Sequence, residues 1–564
     1  MSEPATLELV LLWHMHQPDY RDRAADQFVL PWTYLHGIKD YTDMADHLER
    51  HAAVRAVVNF VPILLDQLDD YTQQIERGVL RDPLLQLLAH PNFDALTGAE
   101  RDFALRACFR SNHHHMLEPF EPYRRLRELY AQLATSQSPT HFLSGAYYAD
   151  LVTWYHLVWM GESVRRKHDW LVALIEQGEG YTQTDRARLL GLIGTELGAL
   201  TGRYRALAAR GQIELSTTPY AHPLGPLLLD FAAARETLPE LALPQAAGYH
   251  DGAARLARHC AQAKTTHAAR FGSAAIGAWP AEGAISAPLL EIFAQANFAW
   301  AASGEAVLAN TLHQAGQTYT RAHHLYRPWR DASGVTVFFR DDRLSDLIGF
   351  EYAKWDAYDA ARHFIEELEA ILAAAPADET PLVCVALDGE NAWEYYPYNA
   401  FYFFEALYAE LSAHPSLRTT TFETVLGSAT QQARWWPLPR VCAGSWVHGT
   451  LTTWIGEPDK NRAWDLLCAA KTAYDRSAPL LAPAARARAE ELLSACEGSD
   501  WFWWLGDDNP APSVASFEHL FRSNLRALYG FLALPPPATL DVPLSHGNAL
   551  AQDAGTMRRA SIPE

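Results

Sequence analysis

A chain of 564 residues is too long for one small core, so a large catalytic domain with one or two added units is expected. A formal net charge of −21 argues against nucleic acid and anionic membrane as partners and favours a neutral or cationic ligand. The six cysteines form no C-x-x-C pair, which excludes a zinc ribbon and a disulfide framework, and "MSEPATLEL" lacks the basic and apolar character of a leader; a soluble, cytoplasmic protein without a membrane partner is expected.

The first element is the apolar run Leu7–Trp13, which reads as a strand buried on both faces and stops abruptly at His14, Met15, His16, Gln17 and Pro18. In α/β folds the loops beyond the carboxyl ends of the strands build the ligand site, so this crowd of polar groups is a candidate site edge. A second strand is expected at Ala56–Phe60. From about 99 to 209 the pattern turns to successive amphipathic helices, among them "PYRRLRELYAQLA", and reads as a helical insertion that carries the run His113, His114 and His115.

Strand signals then resume at Ile213–Thr217, in "GQIELSTTPYAHP" with Glu214, Tyr220 and His222, and at Ala275–Trp279, in "AIGAWPAEG", where Glu282 follows Trp279 and Pro280. They continue at Val335–Phe339 and at Leu382–Leu387, in "PLVCVALDGENAWEYYP", where Asp388, Gly389, Glu390, Asn391 and Trp393 follow. Strands alternating with helices predict an α/β fold whose parallel strands close, or nearly close, into a barrel. The expected division is a catalytic barrel domain over 1–427, a C-terminal helical domain over 428–535, and a Pro-rich tail over 536–564 of the composition that favours disorder.

Eighteen Trp, 24 Tyr and 23 Phe make the chain aromatic-rich; simple packing accounts for most of them, but several lie in polar, turn-like segments where a core would not need them, and indole faces stack on sugar rings. Carboxylates, imidazoles and tryptophans at separate strand ends point to one pocket for a polyhydroxylated ligand. Glycosidic cleavage needs one carboxylate as nucleophile or base and one carboxylic acid to protonate the leaving oxygen. Glu282, Asp388 and Glu390 are the candidates, each of which could instead be a helix N-terminal or capping charge. Neither a Ser nucleophile elbow, a Walker loop nor a Gly-rich dinucleotide turn is evident.

Taken in order, "HMHQP", "GQIELSTTPYAHP", "WPAEG" and "LDGENAWE" resemble glycoside hydrolase family 57, whose better-known members act on α-glucans such as starch and glycogen. Further segments, including "FRDDRLSDLIGFEY", "SWVHGTLTTWIG" and "WFWWLGDDN", look like its α-amylase and amylopullulanase-type branch. The resemblance implies an incomplete seven-stranded (β/α) barrel with a C-terminal helical region and a retaining double displacement. It makes Glu282 the nucleophile and Asp388 the general acid/base, with His14, His16, Gln17, Glu214 and His222 lining the sugar site. Trp279 and Trp393 join as aromatic lining, and Trp446 and Trp504 are candidates for the family's fifth motif. The implied substrate is an oligo- or polysaccharide α-glucan, with no cofactor and no metal.

These motifs leave open hydrolysis of α-1,4 or α-1,6 links and transfer by a 4-α-glucanotransferase or branching enzyme on the same scaffold. Two further readings compete: a metal-dependent hydrolase or deacetylase using His14, His16 and the His113–His115 run, and a glycan-binding protein with a decayed site.

Overall fold

The computed structural model describes residues 5–133, 139–376 and 379–548. Seven parallel strands form its centre: β1 Leu7–Met15, β2 Ala56–Phe60, β3 Ile213–Thr217, β4 Gly277–Ala278, β5 Trp300–Gly304, β6 Thr336–Arg340 and β7 Leu382–Asp388. Their spatial order is β7-β1-β2-β3-β4-β5-β6, each joined to the next by a parallel ladder. Leu9, Val10 and Leu11 of β1 have no solvent exposure, as a strand between the barrel interior and covering helices demands.

The barrel is incomplete, because no ladder joins β6 to β7. That seam is spanned by single bonds: the Asp341 backbone N–H donates to the Cys384 carbonyl at 2.7 Å, and the Arg340 guanidinium donates to the Ala386 carbonyl at 3.0 Å. The incomplete (β/α) barrel, with helices inserted between β2 and β3 and a helical C-terminal region, is the fold class expected from the sequence.

Two strands differ from expectation. The segment expected at Ala275–Trp279 pairs only over Gly277–Ala278, where a Cβ on Gly277 would collide with the Trp300 indole. β5, "WAASG", did not stand out as a strand, since Ala, Ser and Gly have low strand propensity and only its burial in the barrel fixes it.

The segment between β2 and β3 carries helices Gly98–Ala107, Glu121–Leu133, Gly145–Trp159 and Gln183–Ala209, the first and last started by capping boxes at Thr97/Glu100 and Thr182/Asp185. The C-terminal part contributes helices Pro458–Ser477, Pro483–Cys496 and Ala511–Phe531. The start of the Pro-rich segment packs on the last of these: Leu540 and Leu544 are buried, and the Leu544 N–H donates to Glu518 at 2.7 Å. Residues 549–564 of the expected tail lie outside the described residues.

One buried ion cluster ties the C-terminal helices to the barrel. Glu497 accepts from Arg255 Nε and Nη2 and from His259 Nε2, each at 2.7 Å. Burial alone would raise its carboxyl, but the Arg255 charge and the His259 bond hold it at about 2. The cluster anchors the chain immediately before Gly498–Asp500, which reaches over the barrel mouth through an antiparallel bridge between Pro223 and Gly498.

Candidate active site

Register assembles the floor of the site. Asp388, His14, Asn59 and Ser216 stand level on β7, β1, β2 and β3, so their side chains emerge on one side of the sheet. His14 Nδ1 lies 2.8 Å from Asn59 Oδ1, and Asn59 Nδ2 donates to Ser216 Oγ at 3.1 Å. That network orients the Asn59 amide so that His14 donates from Nδ1, which leaves a lone pair on Nε2 when the ring is neutral. His14 Nε2 faces His222 Nε2 at 3.2 Å.

Glu282 and His222 both occupy the left-handed backbone region, at φ 58° and 59°, which costs on the order of 1–3 kcal/mol each for residues other than glycine. The strain aims both side chains at the cavity. Ser499 reaches them from the C-terminal region: its Oγ is 2.9 Å from Glu282 Oε1 and 2.8 Å from His222 Nδ1. Its neighbour Asp500 bonds His16 Nε2 at 2.8 Å, and the His16 ring stacks on His222 at 3.8 Å.

These contacts form a chain, Glu282–Ser499–His222–His14–Asn59, with a definite proton count. With Glu282 protonated, its hydroxyl donates to Ser499, Ser499 to His222 Nδ1, His222 Nε2 to His14 Nε2, and both imidazoles are neutral. An ionised Glu282 accepts from Ser499, His222 Nδ1 must then donate, and an extra proton has to sit on the imidazole pair. Burial pushes His14 down to about 3 and His222 well below its ordinary value, which opposes that state. Burial and then the Asp500 charge push Glu282 up to about 8.

Asp388 is pushed up to about 6 by burial, moderated by an Asn391 Nδ2 bond at 2.7 Å and by the His16 and Arg340 charges. Glu390 lies well above its ordinary value because of burial and the Asp388 and Asp40 charges, and it accepts from Gln17 Nε2 at 3.3 Å.

Glu282, Asp388, His14, His16, Gln17, His222, Trp446 and Trp504 all line one cavity of about 1130 Å³. Three expected site residues do not. Glu214 is the second residue of β3, well below the strand's carboxyl end, where it accepts from the Trp300 indole at 2.7 Å and the Glu423 N–H at 2.8 Å. Trp279 is fully buried behind the site, edge-on to Trp446 at 5.0 Å, and offers no face to a sugar. Trp393 is likewise internal: it packs against Trp13 and Phe404, and its indole donates to the Gly389 carbonyl at 2.8 Å, fixing the loop after Asp388.

Trp279→Ala is therefore expected to cost about 3–5 kcal/mol of stability, as for a buried Trp, rather than mainly sugar affinity. Urea unfolding beside Trp446→Ala checks this; equal stability of the two variants would contradict it.

Asn59, Arg340, Ser499 and Asp500 were not anticipated. Arg340 closes the β6–β7 seam and lies over the Trp446 ring at 5.1 Å, bonding Asp342 and Asp346. Only "SDWFWW", polar residues before an aromatic run, hinted at the last two. His16, His222 and Asp500 bring their ligand atoms within 4.8 Å of one another. However, the two rings stack at an interplanar angle of 24°, so their in-plane lone pairs run side by side, and Asp500 already bonds His16; this is not a tetrahedral donor set.

An open barrel with one buried and one half-buried carboxyl at strand ends, an imidazole cluster and aromatic walls has the makings of a sugar-processing enzyme. The sequence matches glycosyl hydrolase family 57 over residues 10–435, and the chain belongs to that family. No curated protein matches it significantly. Among solved structures it resembles a family 57 branching enzyme from Thermococcus kodakaraensis, with 14% identity, 99% and 100% of the two chains covered and a TM-score of 0.54. It also resembles the α-amylase AmyC from Thermotoga maritima, at 13% identity, 96% and 98% coverage and a TM-score of 0.53. The 4-α-glucanotransferase from Thermococcus litoralis is similar at 13% identity over 93% of this chain and 60% of that one, with a TM-score of 0.50. Among the described residues no helix is long and apolar enough to cross a membrane.

Proposed function

We propose that the protein is a retaining enzyme that breaks α-glucosidic bonds in α-glucan chains by double displacement. Glu282 attacks the anomeric carbon while Asp388 gives its proton to the departing glycosidic oxygen; Asp388, now a carboxylate, then takes a proton from the incoming hydroxyl as that oxygen displaces Glu282. The observation that carries this reading is the opening of both carboxyls, Glu282 buried and Asp388 half-buried, onto one cavity, with Ser499 placed to donate to the Glu282 anion. Positive charge developing on the sugar favours ionised Glu282 in the transition state, offsetting the environment that keeps it protonated in the free protein. Product analysis on starch, pullulan and maltooligosaccharides tests the reading: unaltered substrates would sink it, and activity abolished by a chelator would revive the metal-dependent alternative.

Transfer to a sugar hydroxyl is the second reading, and the cavity has room for the acceptor it needs. Its volume of about 1130 Å³ exceeds the roughly 300–1000 Å³ typical of small-ligand pockets, giving space for sugar on both sides of the scissile bond. The similar structure from T. kodakaraensis, matched over 99% and 100% of the two chains, is a branching enzyme and agrees with this reading, as the α-amylase AmyC agrees with hydrolysis. Longer chains or new α-1,6 branches from maltoheptaose or amylose would establish transfer; shorter chains alone would establish hydrolysis.

The working form needs Glu282 ionised and Asp388 protonated, yet Glu282 sits near 8 and Asp388 near 6. The working form is then a minor fraction of the free enzyme. The expected kcat/KM profile is a bell with limbs near 6 and 8 and an apex between them. A profile flat from pH 5 to 9 would contradict this ordering.

A further inference from the structure

The His113–His115 run has no part in the chemistry described above, yet two of its three rings face the cavity. The run begins a π-helical turn, His113–Leu117, whose start is capped by Asn112 Oδ1 accepting from the His115 N–H at 3.2 Å. Such turns are uncommon and recur at functional sites. His113 turns back, with Nε2 2.9 Å from the Phe109 carbonyl. His114 and His115 line the cavity with their rings edge to face at 4.6 Å. Arg110, one turn earlier, lines the same cavity with its guanidinium 5.0 Å from the Trp32 ring centre.

The location follows from Asp388. A general acid stands beside the leaving oxygen, so the leaving sugar, and later the acceptor, lies on the Asp388 side of the scissile bond. The chain after Asp388 continues along the cavity through Asn391 to Tyr395, and the His115 ring lies beside the Tyr395 backbone. Glu282 is flanked instead by Trp446, whose backbone N–H donates to the Glu282 carbonyl at 3.2 Å.

We propose that His114 and His115, carried by the helical insertion, bind the sugar on the leaving-group side and so hold an acceptor glucan against water. The inference rests on the roles given above to Glu282 and Asp388. A neutral imidazole offers one donor and one acceptor, the pair that a sugar hydroxyl matches by both accepting and donating. Burial, and then the His114 charge, lower His115, which favours the neutral ring. Arg110 adds donors, and Trp355, 42% exposed on the same cavity, adds an aromatic face for the sugar's C–H surface. Water is always abundant, so an acceptor wins only if it is bound and oriented before the glycosyl-enzyme is resolved.

The test uses the full chain with α-maltotriosyl fluoride as donor and maltose as acceptor, reading fluoride release and the ratio of transfer product to free maltotriose. Because the ratio is read within one mixture, loss of folded enzyme cancels. The double variant His114→Ala/His115→Ala should lower it about tenfold and raise the acceptor KM, as expected for losing two sugar hydrogen bonds. His114→Gln/His115→Gln, which keeps a polar tip near each Nε2, should restore part of the ratio. An unchanged ratio and acceptor KM in the Ala variant overturns the proposal, as does a wild type that hydrolyses the fluoride without transfer; both leave the roles of Glu282 and Asp388 standing. A wild type that releases no fluoride overturns those roles and the proposal together.

Discussion

Glu282→Gln should abolish labelling by a mechanism-based fluorosugar and lower turnover on the order of 10⁴-fold, about 5 kcal/mol of transition-state stabilisation. A carboxamide keeps the bond geometry with Ser499 but cannot supply an anion to the anomeric carbon. Intact-mass measurement reads the covalent adduct, and labelling of the variant at the wild-type rate would place the nucleophile elsewhere. The same variant should be more stable than the wild type, in a pH-dependent way. The folded protein raises this carboxyl from 4.5 to about 8, so it opposes an ionisation that the unfolded chain permits. That cost is absent below about 4.5, grows as the pH rises to about 8 and is constant beyond it. Gln never ionises, so its advantage should be small at pH 4.5 and reach a few kcal/mol at pH 8. A melting difference that shrinks with rising pH would contradict the buried, protonated Glu282.

Asp388→Ala should slow cleavage of natural glucans by about 10²–10⁴-fold, the range for a positioned general acid. A glycosyl fluoride needs little protonation, so its first step should persist in this variant and the glycosyl-enzyme should accumulate. Added azide, a nucleophile that needs no deprotonation, should release it as a glycosyl azide of retained configuration. Glu390 is the rival, being two residues away and more strongly raised. Its partner Gln17, however, is itself held by a Tyr20 hydroxyl bond at 2.8 Å, which makes Glu390 part of the cavity wall. Rescue in Glu390→Ala but not in Asp388→Ala would reverse the assignment, and an inverted azide would overturn the double displacement.

The strands whose apolar runs end in polar clusters were legible from the sequence: Ala56–Phe60 and Ile213–Thr217 form with those bounds, and β1 and β7 extend past theirs to Met15 and Asp388. Legibility failed where burial came from another part of the chain. β5 is a strand only because its neighbours enclose it. Glu214 shared a strand end with His222 in the sequence, but a strand spans about 3.3 Å per residue, so it ends too low on β3 to join the site. Tryptophans near the motifs were read as sugar platforms, but Trp279 and Trp393 are the packing that holds those motifs in place. For Ser499 and Asp500 the polar start of "SDWFWW" was the one local hint, and nothing in it says that a loop between C-terminal helices enters the barrel.

The pairing of His16 with Asp500 joins residues 484 positions apart, which sets when in the life of the molecule the site can exist. The seventh barrel strand ends at Asp388, so its ladder with β1 can form while the residues that contact Glu282 from the far end are still unmade. Closing a loop of that span costs about 5–6 kcal/mol of chain entropy by the logarithmic law, and the Glu497 cluster, adjacent to Ser499, is the contact best placed to offset it. At about 5–20 residues per second, roughly 6–20 seconds of synthesis separate the end of the barrel from Asp500. Any barrel that forms in that interval lacks Ser499 and Asp500, the groups that complete the candidate site.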